Sequence, residues 1–186
     1  SILNVKAPRI ALLGTDCNLG KRTSAQFLVD KCLEIGVKAE MVFTGQSGWL
    51  QGGKYGFILD TTVNDFVSGE LENAIVHCDR EASPDIIFLE GQSSLRNPSG
   101  PCGSELIVSG KAEGVILQYG PGYKYFQDLE GIRWKLGAIQ DEIELVRLYG
   151  SRVIAVTLNM NEVPSDKGKE LEHRLRKQLN IPVINV

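Results

Sequence analysis

Short, unbroken apolar runs alternate along this chain with stretches of helical periodicity. Arg9–Gly14 (RIALLG) reads as a buried strand. Lys21–Ile35 sets Phe27, Leu28, Cys32, Leu33 and Ile35 at helical spacing and closes on Gly36. Lys38–Thr44 predicts a second strand, Gly45–Gly56 a glycine-rich loop, and Phe57–Thr61 a short third strand. Asn64–Arg80 is amphipathic, with Phe66, Val67, Leu71, Ala74, Ile75 and Cys78 turned inward; Pro84 ends it ahead of a fourth strand, Asp85–Leu89. One or two helical turns follow at Ser104–Ser109, then a strand at Gly114–Gln118 and a helix at Ile139–Tyr149. Arg152–Leu158 is a sixth strand, Ser165–Leu179 a helix and Pro182–Val186 a last strand. Strands written as continuous Val/Ile/Leu runs are buried on both faces, as in a parallel sheet covered by crossover helices. The expected fold is therefore α/β, a three-layer, doubly wound, mostly parallel sheet.

Composition narrows this little, except in glycine. With 186 residues, 42% apolar and 23% charged, the chain fits a single domain and excludes disordered, collagenous and coiled-coil classes. No apolar run approaches the ~18 residues of a membrane span, so no membrane partner is expected. A net charge of −3 leaves no basic stripe for nucleic acid. The four cysteines form no CxxC pair, and His77 and His173 are far apart, which excludes the spacing of a structural zinc site. His77 and Cys78 are helix neighbours that point about 100° apart, a helix edge rather than a nucleophile pair. Ser1–Ile10 has no apolar signal core, so a cytoplasmic chain with reduced thiols is expected. Glycine stands out: 20 residues, about 11% against a usual ~7%. Twelve lie in segments 14–20, 45–56, 91–103 and 120–122, each following the expected C-terminal end of a strand. Such one-sided clustering suits close approach of backbone to a ligand.

The sharpest motif joins the first strand to the first helix: Gly14-Thr15-Asp16-Cys17-Asn18-Leu19-Gly20-Lys21-Arg22-Thr23. A glycine-bounded loop there turns backbone N–H groups inward and adds the helix dipole, a ready cradle for phosphate. Lys21 would reach the outer phosphates. The usual G-x4-G-K-[ST] pattern puts a Mg²⁺-binding hydroxyl directly after the lysine. Here Arg22 takes that place, and Thr23 suits an inner phosphate. The expected type is thus a P-loop nucleotide-binding domain, with Gly14, Thr15, Asn18, Gly20, Lys21, Arg22 and Thr23 at ATP or a related nucleotide. Glu90 follows the fourth strand, ahead of Gly91, where an acid faces the ligand crevice and can hold Mg²⁺ directly or through water.

The order Gly-Thr-Asp-x-x-x-Gly-Lys resembles dethiobiotin synthetase and its P-loop relatives. More of the chain resembles the uncharacterised-domain family numbered sixteen-eleven, some of whose members are described as D-glutamate N-acetyltransferases. The matching segments are Gly14–Ala25 (GTDCNLGKRTSA), Thr44–Ser47 (TGQS), Asp60–Gly69 (DTTVNDFVSG) and Glu90–Leu95 (EGQSSL), with Pro98–Gly100 and Tyr119–Gly122 (YGPG) in support. That resemblance implies a P-loop domain forming the C-terminal part of a longer chain, behind a Rossmann-like domain, and acetyl-CoA as an alternative ligand. It also implies a metal or substrate role for Asp65. Where the family commonly has a histidine after EGQ-x-SL, Arg96-Asn97-Pro98 stands here, so that histidine's role is not carried over.

Other crevice segments complete the expectation. Gln46 and Ser47 after the second strand, with Gln92 and Ser93 after the fourth, could hydrogen-bond a small polar substrate. Lys54 reads either as an anion contact or as a solvated loop residue. Asn159 ends the sixth strand, where a carboxamide could pair adenine N6 and N7. Met160 and Glu162 replace the Lys and Asp of the guanine-reading NKxD pattern, which disfavours a GTPase. Tyr123, Tyr125, Phe126 and Trp134 read as a lid or interface, or as a satellite core. Trp49 and Leu50 hint at an apolar surface and a homo-oligomer. Three functions stay open. One is an ATP-type enzyme with Asp16, Lys21 and Glu90 catalytic and Mg²⁺ at Glu90 and Asp65. The second is an acetyl-CoA-dependent N-acetyltransferase; the third is a non-catalytic, nucleotide-gated module.

Overall fold

The computed structural model describes residues 1–186. Seven strands form one fully parallel sheet. They are β1 (Arg9–Gly14), β2 (Ala39–Phe43), β3 (Tyr55–Gly56), β4 (Ile86–Glu90), β5 (Gly114–Tyr119), β6 (Val153–Leu158) and β7 (Val183–Asn185). The helices are α1 (Lys21–Glu34), α2 (Gln46–Leu50), α3 (Asn64–Ala82), α4 (Ser104–Val108), α5 (Ile139–Leu148) and α6 (Gly168–Leu179). Strand order is β3-β2-β4-β1-β5-β6-β7. The doubly wound α/β expectation is met.

Helices cover both faces, as a buried parallel sheet requires. α1 packs Ala25 and Val29 against Leu12, Ala39, Phe88 and Ile116. On the opposite face Leu71, Ala74, Ile75 and Cys78 of α3, Leu106 and Ile107 of α4, and Ile139 and Val146 of α5 meet Ala11, Leu13, Ile87, Leu89, Val115 and Leu117. No helix is long and apolar enough to cross a membrane.

Several local expectations shift. The predicted third strand, Phe57–Thr61, lies two residues earlier, at Tyr55–Gly56, and Leu59–Thr61 makes a 3₁₀ turn. Gly56 sets that register: its φ is 148°, and a Cβ there would stand 2.2 Å from the Phe43 carbonyl oxygen. The glycine-rich loop before it is partly helical as α2. Phe27, Leu33 and Ile35, expected on the inward stripe of α1, are exposed, whereas Lys21 and Ser24 are buried. Phe66 likewise points outward from α3. In both helices the inward face is carried by smaller or aliphatic residues.

Sheet order builds the crevice. β1 lies between β4 and β5, with Leu12 beside Glu90 and Gly14 beside Gln118. The chain leaves β1 toward β2 on one side and later crosses to β5 on the other, so the loops part at the C-terminal end of β1. In open α/β sheets such a switch point is where ligands bind.

Candidate functional site

The phosphate loop leaves β1 at Gly14 and enters α1 through Gly20, whose φ of 99° is a left-handed conformation open to glycine. Amide N–H groups of Lys21, Arg22 and Thr23 find no acceptor in the chain, the usual state of a first helical turn and the origin of its affinity for anions. Lys21 is buried, and its Nζ donates to the carbonyls of Asp16 at 2.7 Å and Ser93 at 2.9 Å. Burial lowers its pKa, because the ammonium has lost water; Cys17 and Asp16 act in the opposite sense. A desolvated ammonium next to unpaired N–H groups is a strong receptor for a doubly charged ligand.

Asp16 is fully buried, and its carboxylate is already engaged. Oδ1 accepts from the Cys17 N–H at 2.7 Å and from Asn97 Nδ2 at 3.0 Å, and Oδ2 accepts from the Gln127 N–H at 2.7 Å. Those bonds tie the loop to two distant segments. Asp16 thereby anchors the loop's shape rather than facing the crevice, which differs from the expected catalytic placement. Thr15 is also buried; its N–H donates to the Gln118 carbonyl and its hydroxyl has no partner.

Glu90 meets the expectation of an acid at the crevice. Its Oε2 accepts from the Thr44 N–H at 3.1 Å, and Arg22 Nε lies 3.8 Å from Oε1. Burial raises its pKa above the ordinary carboxylate range, while the Thr44 N–H and the Arg22 guanidinium pull it down. Arg22 Nε is buried without a hydrogen-bond partner, and its terminal nitrogen reaches Gln51. Gly91 allows this packing, since a Cβ there would stand 2.1 Å from the Leu12 carbonyl oxygen.

Two cavities meet at the loop. The first, about 490 Å³, is polar and brings together Asn18, Lys21, Arg22, Glu90 and the expected substrate contacts Gln46, Ser47, Gln92 and Ser93. Cys17 and Asp128 line it too. Gly20 belongs to both cavities. The second, about 370 Å³, has walls from Leu19, Phe27, Ile184 and Val186, together with Thr23, Ser24, Gln118 and Asn159.

Two expectations do not fit this geometry, and the open reading of Lys54 falls on its exposed side. Asp65 lies on the exposed first turn of α3 and is absent from the polar cavity, and no three His, Cys, Asp or Glu residues group as metal ligands. Glu90 and Asp65 are thus not brought together; the cause is α3, which starts away from the crevice. Asn159 lines the second cavity, but its Nδ2 donates to the Leu19 carbonyl and its Oδ1 accepts from the Asn161 N–H, so one end of the carboxamide holds the phosphate loop and the other its own turn. Lys54 pairs with Glu81 at 3.3 Å and lies over the Tyr55 ring, away from the site.

Other residues around the site were not expected to shape it. Asn97, 3% exposed, holds Asp16 and lies 3.6 Å from Cys17 Sγ. Arg96 is anchored by Glu142 at 2.7 Å and Asp141 at 3.2 Å. The strap at 120–138 buries Phe126, donates to Asp16 through Gln127 and puts Asp128 on the cavity wall, while Trp134 stays half exposed. Gln118 carried one unused signal, a polar residue near the end of an apolar strand.

The family model described as "Domain of unknown function (DUF1611_C) P-loop domain" matches residues 1–186, and the chain belongs to that family. It is 26% identical to a Pseudoalteromonas protein named D-glutamate N-acetyltransferase, over 97% of this chain and 54% of the relative. A DUF1611 family protein from Anabaena variabilis superposes with a TM-score of 0.89 at 21% identity, covering 98% of this chain and 54% of the other. A nucleotide-binding protein from Archaeoglobus fulgidus, solved with ADP, gives a TM-score of 0.62 at 14% identity, covering 100% of this chain and 86% of the other. The chain spans about half the length of the acetyltransferase and of the Anabaena protein. It is a P-loop α/β domain.

Proposed function

We propose that this domain binds the adenosine diphosphate head of acetyl-CoA on its phosphate loop and serves acetyl transfer to the amino group of an acidic amino acid, D-glutamate by analogy with the relative's name. The observation carrying this reading is the pair of cavities joined at Gly20. A nucleoside fits the apolar one, a diphosphate fits the loop between them, and a reactive chain and its acceptor fit the polar one. ADP in the Archaeoglobus protein supports the same use of the same fold. The chain's own atoms suit the ligand: the N–H groups of Lys21, Arg22 and Thr23 are unpaired, and Arg22 Nε is buried without a partner.

When bound, acetyl-CoA would supply an activated acyl group. Lys21 and the loop amides hold the diphosphate. Gln46, Ser47, Gln92 and Ser93 would offer hydrogen bonds that orient the polar acceptor, and the Arg22 guanidinium would meet its carboxylate. Glu90 is the base for the acceptor's amine, because burial raises its pKa and so strengthens the carboxylate as a proton acceptor. Asp16 positions the loop that carries all of these.

A second reading, an ATP-type enzyme, is favoured by one observation: no lysine or arginine lines the apolar cavity, where the extra ribose phosphate of coenzyme A would need one. There Mg²⁺ would rest on Glu90 and phosphate oxygens. Calorimetric titration with acetyl-CoA, CoA, ADP and ATP, each with and without Mg²⁺, separates the two. Acetyl-CoA and ADP binding of comparable strength without Mg²⁺, with acetyl transfer to D-glutamate, supports the first reading. ATP binding that needs Mg²⁺, with no CoA binding, replaces it with the second.

A further inference from the structure

The apolar cavity contains one buried carboxamide that no other part of the chain uses fully. Gln118, at the end of β5, is 1% exposed. Its Oε1 accepts from Ser24 Oγ at 2.6 Å and from Thr157 Oγ1 at 2.7 Å. These are O–H···O lengths, whereas an amide N–H donor would sit nearer 2.9–3.0 Å. The two hydroxyls therefore fix the orientation of the group, with oxygen toward them. Nε2 is left with no partner in the chain, on the wall of a cavity that Gln118 lines. The two hydroxyls thus hold the amide N–H groups toward the cavity, where the chain itself supplies them no acceptor.

We propose that Gln118 reads the nucleobase, its Nε2 donating to a ring-nitrogen acceptor of adenine while Leu19 and Phe27 pack against the base. Ser24 and Thr157 are positioning residues: they hold the carboxamide so that it presents a donor and not an acceptor. The assignment rests on the nucleotide reading above and moves base recognition from Asn159, whose carboxamide is committed to Leu19 and Asn161. It applies equally to ADP, ATP and coenzyme A, which share the adenine.

ADP and inorganic pyrophosphate, titrated into the wild-type chain, Gln118→Glu and Gln118→Met at pH 8, test it. Glutamate keeps an acceptor for both hydroxyls and removes the donor; methionine removes both. ADP affinity is expected to fall about tenfold in each variant, the cost of one unmade hydrogen bond, with pyrophosphate affinity unchanged. Thr157→Val leaves Gln118 in place with one anchor fewer, and about a threefold loss on ADP alone is expected. Unchanged ADP affinity in any variant that melts as the wild type overturns the assignment. So does a wild-type chain that binds ADP no more tightly than pyrophosphate, although the phosphate loop would then stand. If neither ligand binds, the phosphate reading itself fails and this assignment goes with it.

Discussion

Replacing Asp16 by alanine tests whether this residue is the keystone of the loop or a group of the reaction. Its carboxylate takes three hydrogen bonds, from Cys17, Asn97 and Gln127, at 2.7, 3.0 and 2.7 Å, in a fully buried position. A hydrogen bond to a charged group contributes ~1.5–3 kcal/mol, and a buried donor left alone costs ~1–3 kcal/mol. Three such bonds act as one network and do not add, so the expected loss is about 4 kcal/mol. Asparagine should lose less, about 2 kcal/mol, since its one oxygen can keep the Cys17 and Asn97 donors while its amide meets the Gln127 N–H alone. Urea unfolding measures both, and hydrogen exchange locates the change. The amide of Gln127 and its neighbours in the 120–138 strap should lose protection, while those of β1 and β4 keep it. An Asp16→Ala chain that loses under 1 kcal/mol with the strap still protected, yet has lost acetyl transfer, would refute the keystone account and return Asp16 to the chemistry.

Lys21→Ala should weaken binding of ADP and acetyl-CoA at least a hundredfold in calorimetry while the urea midpoint moves little, because Lys21 sits desolvated with only two carbonyl partners. Glu90 gives a pH signature. Its folded pKa is raised from 4.5, so the folded chain keeps a proton the unfolded chain has lost, and stability falls as pH rises from about 4.5 through the folded value. Glu90→Gln should flatten that slope in unfolding curves above about pH 4.5, and should remove the acidic limb of the acetyl-transfer rate. Arg96→Ala should cost about 2–3 kcal/mol, below the ~3–5 kcal/mol usual for breaking a fully buried pair, because Arg96 is one-third exposed. It strands Glu142, which is 4% exposed at its side chain with Oε2 already unpaired. Adding Glu142→Gln should recover at least half, and a double-mutant cycle measures that coupling.

What the chain discloses before folding is what leaves each strand; what it withholds is which strands are neighbours. RIALLG and DIIFLE announced buried strands, and Gly20-Lys21 and Glu90-Gly91 announced their endings, because those signals are local. α1 was misjudged at Phe27 because periodicity counts apolar residues. The sheet face instead takes Ala25 and Val29, leaving Phe27 to wall a cavity. Asp65 carried a family signal, yet its helix starts outside the crevice.

The larger omissions are all non-local. Asp16 is held by residues 97 and 127, and Gln118 by residues 24 and 157. None of these pairings has a spacing that a sequence pattern could register. They exist because β4 inserts between β1 and β2, placing Glu90 beside Leu12, and because β5 lies on the other flank, placing Gln118 beside Gly14. With β2 next to β1 instead, Glu90 would stand one strand further from Lys21, about 5 Å away across the sheet. Arg22 could then no longer face it, and the same motifs would make a phosphate cradle with no acid beside it. The strand order is therefore the step at which a binding loop becomes a candidate catalytic site.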